Sequence, residues 1–432
     1  MATQSFVIEG GHPIGGRIRP SGNKNAALPL IAATLLTEEE VVLTNVPAIR
    51  DVDALVSILR DLGVTVTPRG KGAIAFRADR VNGEEPNPEL GRQIRASLLL
   101  AGPLLARRGH VRLPLPGGDV IGRRRIDTHV LALEALGATA ETRHGEYVFT
   151  ASTRLVGADV FLDEASVTGT ENAVMAAALA HGTTVIDNAA CEPHVQDLCR
   201  LINAMGGRIE GVGTNRLVIH GAARLHGAEY ALGPDYIEVG SLITLAAVTG
   251  GELTIEDARP HEHRATRLAL NRLGIQFGPD PSGRHILVPG GQKLQVASDL
   301  GGAIPKIEDA PWPGFPADLT SIAVVGATQS EGTVLIFEKM FESRLFFVDR
   351  LQSMGARLIL CDPHRVVISG RSQLVGQELS SPDIRAGMAL LIAALCADGT
   401  STIHNIRQID RGYERIDERL ADLGARIHRR AR

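Results

Sequence analysis

The chain has 432 residues, 44% apolar and 22% charged, with a net charge of −4. That length calls for two globular domains rather than one simple core, and a weakly acidic chain with 3% aromatic residues is not composed as a nucleic-acid binder. Cys191, Cys199, Cys361 and Cys396 form no C-x-x-C pair, which argues against a zinc site, and the longest apolar runs, such as 96–106 and 386–397, are too short to span a bilayer.

The start of the chain shows no basic leader followed by a long apolar stretch, so a cytoplasmic protein with reduced thiols and no membrane partner is expected. One phrase then recurs along the chain. It begins with an Ala-rich helix that is apolar on all sides, placed at 26–36, 95–106, 172–180, 241–249, 319–328 and 385–397. Such helices are expected to be buried. Glycines at 109, 182, 251, 332 and 399 are expected to stop five of them. β-branched strands follow, as at 183–186, 253–255 and 333–336. Amphipathic helices come next, as at 51–62, 127–136, 344–354 and 413–423, and should cover the outside.

Each copy closes on a glycine: Gly63, Gly137, Gly206, Gly274, Gly355 and Gly424. The period is about 70 residues, which means a repeated supersecondary unit. A linker at 227–234 divides six copies into three plus three. Two similar α/β domains are therefore predicted, one over 22–233 with a mobile loop near 114–126, the other over 1–21 plus 234–432, with the site in the cleft between them. The basic ending 426–432 reads as a solvated tail, and His261 to Arg264 as a surface helix start rather than a ligand set.

Polar groups collect where buried helices begin. They are Ser21 to Asn25, Arg95, Ser166 to Thr170, Asp235 to Glu238, Asp318, and Asp383 to Arg385. Free N–H groups and a partial positive charge make helix starts suited to anions, and Lys24, Arg95 and Arg385 add cations at three of them. Taken singly, the Ser, Thr and Asp residues could be plain caps. A Gly-rich loop with one acid, Asp119, leads into three arginines, Asp127 and His129, and reads as a phosphate-binding lid.

In these segments the chain resembles the enolpyruvyl transferases, and within them the branch that serves peptidoglycan synthesis. The resemblance runs almost end to end and is carried by Gly22-Asn-Lys-Asn-Ala-Ala-Leu-Pro29, Ile94-Arg-Ala-Ser97, Pro116-Gly-Gly, Phe315-Pro-Ala-Asp318, Asp383-Ile-Arg-Ala386 and Asp410-Arg-Gly-Tyr-Glu-Arg415. It implies two inside-out α/β domains, each of three βαβαββ units around buried helices. It implies transfer of the enolpyruvyl group of phosphoenolpyruvate to the 3-hydroxyl of UDP-N-acetylglucosamine, by addition then elimination, with release of phosphate and no cofactor. A monomer is expected.

By the same resemblance, Lys24, Arg124 and Arg411 bind the phosphate of phosphoenolpyruvate, and Arg95 and Arg385 support the anionic pocket. Asp318 accepts the sugar hydroxyl proton, and Asn25 meets the sugar or the tetrahedral centre. Arg124, Ile126, Asp127, Thr128 and His129 line the uridine, Ser166, Val167 and Thr168 the diphosphate, and Met340 the sugar. The family usually carries cysteine where this chain has Asp119, and that cysteine is the thiol alkylated by fosfomycin. Insensitivity to the drug is expected. Asp119 must hold a proton to act as an acid, which neighbouring guanidinium groups oppose. Arg125, Glu164 and Thr168-Gly169 also depart from the usual pattern, so two alternatives stay open. One is a paralogue that enolpyruvylates another nucleotide. The other is a non-catalytic nucleotide-sugar-binding relative, against which the joint presence of Lys24, Asp318, Arg385 and Arg411 argues.

Overall fold

The structure is a computed structural model and describes residues 4–81, 85–119, 122 and 125–431. It divides into two compact units, one of Gly22–Gly118 with the chain from 125 to Gly233, the other holding residues to Ser21, Asp119 with Gly122, and the chain from Pro234 onward.

The closing glycines show why the repeat exists. All six have positive φ, between 80° and 102°. In every copy the glycine N–H bonds the carbonyl three residues back, as Gly63 to Arg60 and Gly424 to Ala421, and the next N–H bonds five residues back, as Val64 to Leu59 and Ala425 to Leu420. This is one helix-ending motif used six times, and only glycine enters that backbone region without a Cβ penalty. A second marker follows the strands. Asn45, Asn188 and Asn405 are left-handed, and each side-chain amide donates to a carbonyl, of Leu232, Leu162 and Ser381 respectively.

In the unit 22–233, three sheets surround the helices Lys24–Ala33, Ala101–Arg108 and Val167–Ala177. Strand Glu40–Thr44 pairs parallel with Ala228–Ala231 and antiparallel with Ala73–Arg77, so the end of this unit completes its first sheet. In the other unit, three four-stranded sheets surround Tyr236–Thr249, Thr320–Gln329 and Ile384–Cys396. Here Gln4–Glu9 sits between Thr400–His404 and Arg426–Ala431, antiparallel to both. Burial of the inner helices is nearly complete: every residue from Tyr236 to Val248 and from Ile384 to Leu395 is buried. Glycines let these helices approach. A Cβ on Gly102 would lie 2.5 Å from the Asn172 carbonyl oxygen, and one on Gly387 2.7 Å from the Ile409 side chain. No helix among the described residues is long and apolar enough to cross a membrane.

Several sequence expectations need correction. Of the five glycines assigned as helix stops, Gly109 alone caps its helix; Tyr236–Thr249 ends on Gly250, not Gly251, and the helices before Gly182, Gly332 and Gly399 end earlier. The expected helix at 95–106 splits into a 3-10 segment, Arg95–Leu100, and Ala101–Arg108. Pro103 accounts for the break, since its ring opposes the carbonyl four residues back. The helix expected at 172–180 runs Val167–Ala177, and that expected at 413–423 starts only at Ile416, after a left-handed Arg415. Residues 426–431 are a strand rather than a tail; Arg429 binds Asp410 and Asp417, and the basic residues guard a sheet edge. Glu262 and His263 are buried, and His263 bonds the Ala258 carbonyl, so that cluster is not a surface feature.

Candidate active site

Within the unit 22–233, Asn23 caps the first buried helix by accepting from the N–H groups of Asn25 and Ala26. Gly22 is forced by packing, because a Cβ there would lie 1.7 Å from the Asn45 carbonyl oxygen. Lys24 opens the helix almost wholly buried, with its ammonium 2.9 Å from Asp51, itself nearly sealed. Asn25 is half-buried beside it. Pro29 lacks an N–H, so the Asn25 carbonyl has no helical donor four residues on.

The predicted uridine and diphosphate segments meet. Thr128 donates to Asp163 at 2.7 Å, and His129 contacts Thr168 at 3.1 Å. Asn172 fixes the tautomer. Its Oδ1 accepts from Gly102 N–H, so its amide nitrogen must donate to Leu98 O and to His129 Nδ1. The imidazole proton therefore sits on Nε2 and faces Thr168. Burial, helped by the charge of Arg95, pushes His129 down to about 3. We expect its ring nitrogens to show no titration by NMR through the neutral range. Because the fold accepts only neutral His129, its contribution to stability is complete above about 6.5, the ordinary value, and declines as pH falls toward about 3.

Ser166 is the cap of Val167–Ala177, accepting from Gly169 N–H, which places Val167 and Thr168 in the first turn. Ile126 is buried, Asp127 is exposed and paired with Arg125, and Glu164 is exposed. Arg95 donates to the Arg125 carbonyl. Burial lowers its pKa, opposed by Tyr147. Arg124 lies outside the described residues.

In the other unit, Asp318 sits in the 3-10 turn Ala317–Leu319, at the entrance to the buried helix that follows. Two guanidinium groups converge on it: Arg344 Nη2 reaches Oδ1 at 2.9 Å, and Arg385 reaches Oδ2 through Nε at 3.0 Å and Nη2 at 2.8 Å. Both arginines are buried, and Arg385 also donates to the Tyr413 hydroxyl. Burial opposes the charge of Arg385, but Asp318, Tyr413 and Asp235 outweigh it and hold the group well above its usual range. Asp383 caps Ile384–Cys396 through Arg385 N–H and Ala386 N–H. Burial raises its pKa, opposed by its cap bond and Arg344 and aided by Asp119. Those influences place Asp119 and Arg344 in one electrostatic neighbourhood. Asp119 pairs with Arg411 at 2.5 Å, and Gln408 also accepts from Arg411. Met340 is exposed, with its N–H on Asp309 Oδ2.

Sequence reading missed Arg344, Asp51, Asn172 and Tyr413. Arg344 was assigned to an amphipathic outer helix, where a cation normally meets solvent; it is instead in a 3-10 turn and sealed. Its position 26 residues after Asp318 carries no local signal.

A family model for EPSP synthase (3-phosphoshikimate 1-carboxyvinyltransferase) matches residues 8–420. The chain belongs to that family. Among the enolpyruvyl transferases it is 57% identical to the UDP-N-acetylglucosamine 1-carboxyvinyltransferase of Bradyrhizobium diazoefficiens over 429 residues, 99% of each chain. It is also 57% identical to the enzyme of the same name from Treponema denticola, over 98% of each chain. Among solved structures, the enolpyruvyl transferase NikO from Streptomyces tendae superposes with a TM-score of 0.87 at 25% identity, covering all of both chains. An EPSP synthase from Acinetobacter baumannii gives 0.75 at 19% identity over 99% of this chain and all of that one, a likeness of fold. The two-domain enolpyruvyl transferase fold is thus the architecture of this protein.

Proposed function

We propose that the protein transfers the enolpyruvyl group of phosphoenolpyruvate to the 3-hydroxyl of UDP-N-acetylglucosamine, releasing phosphate, as a step of peptidoglycan synthesis. The observation that carries this reading is the carboxylate of Asp318 held between two buried guanidinium groups, in a chain 57% identical to relatives bearing that activity's name.

In the reaction, the acceptor oxygen attacks C2 of phosphoenolpyruvate and gives its proton to Asp318, while the methylene carbon C3 takes a proton. A tetrahedral adduct forms. The bond from C2 to the phosphate oxygen then breaks, and the methyl group returns a proton to restore the double bond. Asp318 serves as base. Arg344 and Arg385 are preorganised forks that take the substrate carboxylate as Asp318 turns to the acceptor. Lys24, Arg124 and Arg411 take the phosphate, and Arg95 supports the pocket. Asn25 and Met340 contact the sugar, residues 126–129 the uridine, and 166–168 the diphosphate. Arg411 holds Asp119 until the substrate phosphate competes for it, and release lets Asp119 take up the proton for C3.

Arg125, whose charge is taken up by Asp127, and Glu164 near the Ser166 turn prompted the paralogue reading, which 57% identity over 99% of each chain to a UDP-N-acetylglucosamine 1-carboxyvinyltransferase does not favour. A phosphate-release assay with phosphoenolpyruvate and a panel of nucleotides separates the readings: release with UDP-N-acetylglucosamine supports the first, and release only with another nucleotide supports the second. Because a carboxylate stands where the usual thiol would be, we also expect no fosfomycin adduct on the peptide containing Asp119. Peptide mass mapping after incubation checks this, and a mass gain there would contradict it.

A further inference from the structure

Beside Arg344 lies a carboxyl group that the reaction above does not use. Glu338 follows the strand Gly332–Phe337 and is 0% exposed. Its Oε2 is 3.9 Å from Arg344 Nε, while Asp318 takes Nη2 of the same guanidinium. Four polar atoms here are sealed without a full hydrogen bond among the described residues: both carboxyl oxygens of Glu338, Arg344 Nε and Thr320 Oγ1. Such a concentration is unusual in a native interior and asks for a reason.

The surroundings narrow the explanation. Facing the Glu338 carboxyl are Arg344, Asp309 and the Thr320 hydroxyl. Asp309 is fully buried and committed to the N–H groups of Lys339 and Met340. His364 bonds the backbone carbonyl of Glu338, not its carboxyl. Arg344 itself is stacked on the Phe341 ring, 4.8 Å from its centroid, and committed to Asp318. An ionised Glu338 would give this one cation two carboxylates to neutralise. A cation meant to accept a substrate anion cannot be spent in that way.

Resting on the proposed reaction, we infer that Glu338 is a positioning residue, a sealed neutral carboxyl that backs the Arg344 guanidinium against Asp318 and the incoming carboxylate without consuming its charge. Burial supports this by pushing Glu338 up to about 8, with Arg344 opposing and Asp309 adding to the shift. As pH rises through that value the carboxyl ionises, draws Arg344 inward, and weakens the hold on the substrate anion.

The test is the pH profile of kcat/KM for phosphoenolpyruvate, with the UDP-sugar saturating, in the full chain and in Glu338→Gln. In the parent protein it should fall about tenfold per pH unit above about pH 8, through KM rather than kcat. Glu338→Gln should stay within about threefold of the parent near pH 7 and lose the alkaline fall. The same alkaline fall in both proteins, or none in the parent, would overturn the inference. Should Glu338→Gln not fold, calorimetry of phosphoenolpyruvate binding to the parent in buffers of different ionisation heat decides the matter. Proton uptake near pH 8.5 that is absent near pH 7 supports it, and no uptake at either refutes it. Phosphate release by the parent near neutral pH tests the underlying reaction separately.

Discussion

Replacing Asp318 by asparagine is expected to lower turnover by about 10²–10⁴-fold, the range a positioned general base supplies. The substitution keeps the shape, but its one amide oxygen can accept from only one of Arg344 and Arg385, which bond different oxygens of the carboxylate, and the other guanidinium is left to the substrate carboxylate. Phosphoenolpyruvate binding should therefore not weaken. It should tighten slightly, because the neutral amide no longer competes with the substrate carboxylate for two buried cations. The signature is a collapse of kcat with an unchanged or lower KM, measured by phosphate release. A variant that kept more than about a tenth of the parent turnover would remove Asp318 from the role of base.

Arg385→Leu carries the second large effect, and this one falls on stability as well as activity. The side chain holds Asp318 through two nitrogens and Tyr413 through a third. Removing one partner of a buried pair typically costs about 3–5 kcal/mol, because the other charge stays behind. Asp318 is partly exposed and keeps Arg344, so the lower end, about 3 kcal/mol, is expected. Urea unfolding measures it. Arg385→Lys should recover most of the stability but little activity, since a single ammonium cannot reproduce the fork that grips a carboxylate. Equal recovery of both would mean that charge alone matters at this position.

These two residues also show what the sequence made legible. Asp318 and Arg385 stand at the starts of buried helices, where an apolar run makes any polar neighbour conspicuous. His129 and Thr168 were assigned by resemblance to separate parts of the nucleotide, and their contact was not legible in the sequence. The six closing glycines were readable because a left-handed helix end leaves a fixed residue at a fixed place in each copy. Arg344 and Glu338 were not readable. Their meaning lies in partners on other elements, Asp318 and Asp309, and in burial that the local pattern does not announce. The strand Arg426–Ala431 was lost for a related reason. Its arginines looked solvated, yet Arg429 buttresses Asp410 beside Arg411 while Ile427 packs inward.

The cap reading holds for four residues at the helix starts. Asn23, Ser166, Asp235 and Asp383 are caps with defined N–H partners. The cations beside them, Lys24 and Arg385, are held in ion pairs with Asp51 and Asp318. A buried cation is costly unless a carboxylate neutralises it, and these carboxylates do so. The Arg411 pair with Asp119 fits the same pattern.

These paired cations are proposed to serve enolpyruvyl transfer to a UDP-sugar. Mass spectrometry of UDP-N-acetylglucosamine after incubation with the protein and phosphoenolpyruvate tests it most directly. The expected result is an acceptor heavier by one enolpyruvyl group, with one phosphate released per acceptor converted. An unmodified acceptor, from folded protein that binds both substrates, would contradict it.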